Sequence, residues 1–206
     1  MSISFEIIVA AAANLLGTVM TLPQAIRLVR TRRLAGVSAT WAALSVTVNA
    51  WWLVYATGVG DPAIVPVSAV SVAGYLTILV AMRRFGGGNL PTSGVAPLSA
   101  TVLLPLAALA IGGWEAAGMT LGVLYGVQLA PAVLGAFRSS DLAGVSPGTW
   151  LLALLEAALW GVYGSAADDL GLVVLAVVGA VMSALVLGRL AWAAPAATPT
   201  PQPVGP

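Results

Sequence analysis

An all-α membrane protein of seven transmembrane helices, arranged as three, one and three with the two triplets parallel, is predicted by three observations. The first is composition: of 206 residues 60% are hydrophobic and 7% charged, with a mean hydropathy of +1.01. That is more apolar surface than a soluble domain of this size can bury. The second is a set of seven apolar segments long enough to cross a bilayer. The third is a repeat at a fixed shift of 108 residues, which relates the first three segments to the last three.

A hydrocarbon core of about 30 Å takes about 20 helical residues at about 1.5 Å each. Seven segments meet that length: Ile7 to Val29, Ser38 to Thr57, Pro62 to Met82, Val95 to Ile111, Ala116 to Phe137, Ser146 to Ser165 and Leu170 to Trp192. The first is read as a retained span and not a cleaved signal, because Met1 to Phe5 carries no basic residue, Glu6 is acidic, and apolar character runs on towards Arg27. Strands of a barrel would instead give shorter alternating runs, so helix is the expectation throughout. The loop Phe85 to Gly94 holds Gly86-Gly87-Gly88 without a following Gly-Lys-Ser/Thr, which argues for a linker and against a phosphate cradle. Ala193 to Pro206, rich in Ala, Pro and Thr, reads as a disordered tail.

Arginine distribution sets the orientation. All eight basic residues are arginine, and with seven spans Arg27, Arg30, Arg32, Arg33, Arg83, Arg84, Arg138 and Arg189 fall on one side. Glu6, Asp61, Glu115, Asp168 and Asp169 fall on the other. Short arginine-rich loops stay cytoplasmic, which puts the N-terminus outside and the C-terminus inside.

The repeat pairs Pro23 with Pro131, Arg30 with Arg138, Leu34-Ala35-Gly36-Val37-Ser38 with Leu142-Ala143-Gly144-Val145-Ser146, Trp52 with Trp160, Tyr55 with Tyr163 and Asp61 with Asp169. Both copies start outside, so the single fourth span keeps them parallel and a two-fold axis along the membrane normal relates them. The chain then divides into a first triple-helix bundle (1–84), a loop and linker helix (85–112), a second triple-helix bundle (113–192) and the cytoplasmic tail (193–206).

Absent chemistry narrows function. Without lysine, histidine or cysteine there are no disulfides, no Cys/His metal sites, no Cys or Ser-His nucleophile and no retinal Schiff base. A net charge of +1 gives no reason for a nucleic-acid partner. No cofactor is expected, and a membrane enzyme would lack any nucleophile–base pair. The expected partners are a small solute and the bilayer, with a homo-oligomer left open. The arginine-for-lysine, alanine-rich composition suggests a bacterial plasma membrane.

The 3+1+3 parallel repeat, Pro23-Gln24 near the end of the first helix, and Trp-Leu-Val-Tyr at Trp52 to Tyr55 together resemble the PQ-loop superfamily, specifically SWEET-type sugar transporters. The resemblance covers nearly the whole chain to about Trp192. It implies bundles whose helices pack in the order one, three, two, and a substrate that crosses between them. It also implies a tryptophan on the second and an asparagine on the third helix of each bundle. Trp52 and Trp160 match the tryptophans, whereas Ser68 and Ala176 stand at the asparagine positions, and the second copy of Pro-Gln is Pro131-Ala132.

Transport requires a midplane site accessible from either side, and polar groups inside the spans are its candidates. Glu156 is the one acid well inside a span, where ionisable groups are costly and commonly functional; a protonated acid tying neighbouring helices is the other reading. Trp160 lies four residues on, hence on the same helical face, and Asn49 and Trp52 form the corresponding pair. Asn49, Trp52, Ser68, Glu156, Trp160 and Ala176 therefore form the candidate substrate site. Trp51, Trp114 and Trp192 fit interfacial anchoring. Pro23 and Pro131 each remove a helical hydrogen bond and invite a kink, so Pro23, Gln24, Gln128 and Pro131 are candidate hinge or gate residues. Asn14, Thr18 and Thr21 make a stripe suited to pore lining or helix packing. Asp61 and Asp168-Asp169 read as outer loop caps. Three functions are compatible with these features: a carrier of a mono- or disaccharide, a proton-coupled carrier of amino acids or other metabolites using Glu156, and a receptor or scaffold that does not transport.

Overall fold

A computed structural model describes residues 3–32, 38–85, 92–140, 142 and 145–193. The expectations for Leu34 to Val37, for Gly86 to Gly88 and for the tail beyond Ala193 lie outside the described residues, as do the side chains of Pro23, Gln24 and Arg27.

Seven helices carry the described chain: α1 (Ile3–Thr31), α2 (Ala39–Val59), α3 (Val65–Phe85), α4 (95–111), α5 (114–138), α6 (Pro147–Ala166) and α7 (Leu170–Ala193). A single 3-10 turn, Thr92–Gly94, precedes α4. Helices α4 and α5 run together as Val95–Arg138 and are separated by a break at Gly112 (φ −129°, ψ 17°) and Gly113 (φ 67°, ψ −160°). Gly113 occupies backbone space that only glycine reaches at little cost. Within Val95–Arg138 the break falls at this Gly-Gly pair and not at Pro105 or Pro131. Five helices, counting 95–138 as one, are long and apolar enough to cross a membrane. Pro147–Ala166 has the length, at 20 residues, while Glu156, two tryptophans and a tyrosine dilute its apolar character.

The repeat is written most clearly in the helix ends. Ser38 caps α2 by accepting from the Trp41 N–H at 3.2 Å, and Ser146 caps α6 by accepting from the Thr149 N–H at 3.3 Å. At the other end of these helices Gly60 (φ 73°) and Asp168 (φ 54°) take the left-handed conformation. The N–H of Asp61 then donates to Ala56 O at 2.9 Å, and that of Asp169 to Gly164 O at 2.8 Å. These are matching Schellman-type endings. Asp61 and Asp169 emerge from them at equivalent places. Helix α3 starts at Val65 and not at Pro62 because the intervening turn is held by Asp61 Oδ1, which accepts from Ala63 N–H at 2.9 Å.

Helix α3 packs on both α1 and α2, and α7 on both α5 and α6. This is the one, three, two order in each triplet. Between triplets α1 meets α6, and α2 meets α5, where Gly58 lies under the Trp114 ring and Gly118 under the Tyr55 ring. The contacts close a ring: α1, α3, α2, α5, α7, α6 and back to α1. Small residues bring α5 and α7 backbone to backbone: a Cβ placed on Gly171 would stand 2.7 Å from Gly118 Cα, and one on Gly122 would stand 2.7 Å from Leu175 N. Gly118, Gly122 and Gly126 recur every four residues, the small-residue spacing that lets membrane helices approach.

Asn14 fastens α1 to the start of α3. Its Nδ2 donates to Ala10 O at 2.8 Å and Ala63 O at 2.9 Å, and its Oδ1 accepts from Val67 N–H at 2.7 Å. Of the two readings of the α1 stripe, Asn14 takes the packing one. Truncating it strands an amide and a carbonyl in a setting with no water to replace them. Asn14→Ala is expected to cost about 2–3 kcal/mol, read as a shift in denaturant or thermal unfolding in detergent; a change below about 0.5 kcal/mol would count against this role.

The buried apolar side chains divide unequally along the membrane normal. At the acidic end one cluster joins both triplets, with Val9, Val48, Trp52, Tyr55, Ile64, Leu121, Trp160 and Leu172 among its members. At the arginine end there are two clusters. One holds Leu28, Ile78 and Met82 from the first triplet, and the other Val133, Ala136 and Val186 from the second.

Candidate functional site

Where the two arginine-end cores stand apart, a cavity of about 490 Å³ lies between the triplets. It reaches from Trp52 and Trp160 to Trp41 and Trp150 in the first turns of α2 and α6. Five of the six residues expected to bind substrate line it: Asn49, Trp52, Ser68, Glu156 and Trp160. Ala176 does not. It is buried between α7 and α6, facing Gly161. Gln128 of the expected gate residues lines the cavity as well, whereas Pro131 is exposed and α5 continues through it. Helix α1 likewise continues through Pro23 and Gln24.

Among the described residues Glu156 is the only charged side chain in this wall. Its Oε1 accepts from Trp160 Nε1 at 3.4 Å, the (i, i+4) pairing a helix imposes. A Cβ on Gly17 would come within 2.5 Å of that same oxygen, so the glycine opens the space in which the carboxyl meets α1. Asn49, which lines the cavity, donates to Ser45 O at 2.8 Å. Two buried polar atoms of the wall, Trp52 Nε1 and Gln128 Oε1, have no hydrogen-bond partner among the described residues. One is a donor and the other an acceptor. Thr21 and Ser71 face each other at 3.5 Å, so this member of the α1 stripe does line the cavity.

Aromatic rings dominate the remainder. Trp41 and Tyr75 stack edge to face at 5.0 Å between centroids, and Tyr125 and Trp150 complete the arginine-end wall. Sequence reasoning singled out none of these four. The repeat register could not flag Tyr75, which pairs with Ser183 at the 108-residue shift, and a tyrosine in a span carries no position-specific signal by itself.

Beyond Trp52 and Trp160 the cavity is closed at the acidic end by a reciprocal exchange. The Tyr55 hydroxyl of the first triplet donates to Asp169 Oδ2 of the second at 3.0 Å. The Tyr163 hydroxyl of the second donates to Asp61 of the first, at 2.9 Å to Oδ1 and 3.0 Å to Oδ2. Each tyrosine also meets the tryptophan below it edge to face, Tyr55–Trp52 at 5.3 Å and Tyr163–Trp160 at 5.9 Å, while Trp114 flanks Tyr55 at 6.3 Å. Asp61 and Asp169 do serve as caps, the latter accepting from Leu172 N–H at 3.0 Å. Their second role needed knowledge of which helices are neighbours. Asp168 holds the left-handed turn that aims Asp169.

Fold and composition together define an integral, multi-pass membrane protein with seven helices in a three-one-three arrangement. Among solved structures the chain is similar to one described as the 3.7 Å resolution structure of a eukaryotic SWEET transporter, at a TM-score of 0.63 and 14% identity, over 92% of this chain and 98% of that one. At that identity the likeness concerns the fold. No family model and no curated protein matches the chain.

Proposed function

We propose that this protein is a carrier that moves a small neutral solute, a mono- or disaccharide, across the membrane by alternating access between the bundles 1–84 and 113–192. The observation that carries the reading is a cavity between the two triplets, sealed at one end by hydrogen bonds exchanged between them and walled by the repeat-related Trp52 and Trp160. Two indole faces offer stacking surface to a sugar ring. Asn49, Ser68, Trp52 Nε1 and Gln128 Oε1 supply hydrogen bonds that a hydroxyl-rich solute would satisfy. The placement of the arginines at one end of the helices argues for N-terminus outside, C-terminus cytoplasmic and hence a state closed outside. Pro23 with Gln24, and Pro131 with Gln128, are then the places where the bundles flex.

A solute panel in proteoliposomes tests this. Wild type equilibrates at least one sugar, and Trp52→Ala and Trp160→Ala each lower its uptake about tenfold, the loss of one ring-stacking contact. Unchanged uptake in both variants rejects the site, and ligand binding without equilibration makes the protein a receptor.

Glu156 favours a second reading, proton-coupled transport of an amino acid or other metabolite, because a lone carboxyl in the cavity can bind and release a proton as access alternates. Under it an inward proton gradient accelerates uptake and Glu156→Gln removes the acceleration. Uptake indifferent to both leaves facilitated diffusion.

A further inference from the structure

On the lipid-facing surface at the arginine end the repeat produces two further grooves. The first, about 540 Å³, lies between α1 and α3 and is walled by Val29, Leu76, Val80, Arg32 and Arg84. The second, about 680 Å³, lies between α5 and α7. Their walls correspond at the 108-residue shift: Val29 with Phe137, Leu76 with Ala184, Val80 with Gly188, Arg84 with Trp192. A surface feature formed twice at equivalent places follows from how the first and third helices of a bundle diverge, and what fills it is set by its side chains.

The first groove has two chemically distinct ends. Its floor is apolar and open to the bilayer, with Val80 63% and Leu76 44% exposed. Its mouth carries two guanidinium groups. Arg32 follows the last turn of α1 in the left-handed conformation, φ 55°, a conformation uncommon for residues other than glycine. Its N–H donates to Leu28 O at 2.9 Å, and its guanidinium stands 5.5 Å from the centroid of the Phe85 ring at the end of α3. The turn thus brings Arg32 against the end of α3, and Arg84 lines the same groove. Among the described residues the carboxylates lie at the acidic end or in the central cavity, so no described acid neutralises this pair. In the second groove a single arginine remains, and Arg189 donates to Ser139 O at 3.2 Å.

We propose that the groove between α1 and α3 binds an acidic phospholipid of the adjacent leaflet. The phosphodiester sits between Arg32 and Arg84, and an acyl chain lies along Val80 and Leu76. Two arginines lining one groove match a phosphate's charge and offer donors to its oxygens, and the interfacial depth of a helix end is where headgroups lie. The apolar floor distinguishes a lipid from free phosphate, which would gain nothing from it. This does not depend on transport or on which side the arginines face.

Native mass spectrometry of the full chain, released from detergent with phosphatidylglycerol or phosphatidylcholine of identical acyl chains, tests the site. Wild type retains phosphatidylglycerol about tenfold better. Arg32→Gln with Arg84→Gln brings the two lipids to parity, while Arg83→Gln, exposed on the same helix outside the groove, keeps the preference. Val80→Asn lowers retention of both lipids without changing their ratio. Absence of preference in wild type overturns the proposal. So does an equal loss on Arg83→Gln, which would mean diffuse charge attraction, or displacement of the lipid by millimolar inorganic phosphate. Protein dimers that disappear with the arginine pair would give the groove to a second copy and likewise overturn it.

Discussion

Gly171→Leu is expected to abolish the second triplet: the folded, monodisperse fraction recovered in detergent falls to near background, while Gly135→Leu on the same bundle leaves it unchanged. The argument is steric. A Cβ on Gly171 meets Gly118 Cα and C at 2.7 Å and Gly118 O at 2.9 Å. These are backbone atoms that cannot rotate aside. A leucine there forces α7 off α5, and α7 is also the helix through which α5 and α6 are held in one bundle. Overpacking a well-filled interface costs about 1–3 kcal/mol when side chains can yield, and here nothing yields, so a cost of about 3 kcal/mol or more is expected. A Cβ on Gly135 meets nothing within 4 Å, and leucine improves helix propensity there. Equal recovery of the two variants would show that α5 and α7 do not approach as closely as described.

The second large effect concerns the seal at the acidic end. Tyr55→Phe with Tyr163→Phe removes both hydroxyls but keeps the rings. Asp61 and Asp169 also keep their backbone donors, Ala63 N–H and Leu172 N–H. The fold should therefore survive while the closed state loses two hydrogen bonds to carboxylates. At about 1.5 kcal/mol each the pair amounts to about 3 kcal/mol, a shift of about 100-fold between closed and open populations. The chain has no cysteine, so Ser68→Cys in the cavity wall gives a single reporter. Its reaction with a membrane-impermeant thiol reagent added at the acidic side is expected to rise about 100-fold in the double variant and about tenfold in each single one. An unchanged rate would mean that apolar packing of Trp52, Ile64 and Trp160 alone keeps that end shut.

Much of this architecture is legible in the residues because membrane helices obey few rules. Span length, arginine sidedness and the 108-residue register are one-dimensional properties, and they lead to the seven helices and their three-one-three grouping. The order in which α3 intervenes between α1 and α2 came instead from resemblance, since no spacing within a helix says which helix is its neighbour. The same limit separates the two layers of the site. Glu156 with Trp160, and Asn49 with Trp52, are pairs along single helices, and they converge on one cavity. Tyr55 with Asp169, and Tyr163 with Asp61, are pairs across helices. Their residues were visible at matching register, yet the exchange between them was not. Ala176 shows the converse: alignment to an expected position placed it at the substrate, while the close contact with Gly161 turns it into the α6–α7 interface. Gly112-Gly113 falls between the fourth and fifth expected spans, and its non-helical backbone is where α4 gives way to α5.

The seal has one further property. Each bundle contributes one tyrosine and one aspartate, and each tyrosine reaches the aspartate of the other bundle, never its own. Such a contact is self-complementary: if both halves were the same polypeptide, an isologous pair would form the identical two bonds about a true two-fold axis. A gene fragment ending after α3 would thus carry every group required at that end, and two copies of it could shut a cavity that one copy cannot enclose. Joining the halves through α4 frees them from that identity. One half can then keep Asn49 where the other carries Ala157, and the other half can place a carboxyl at Glu156 where the first has Val48, so that a cavity lined by equivalent helices becomes chemically different on its two sides.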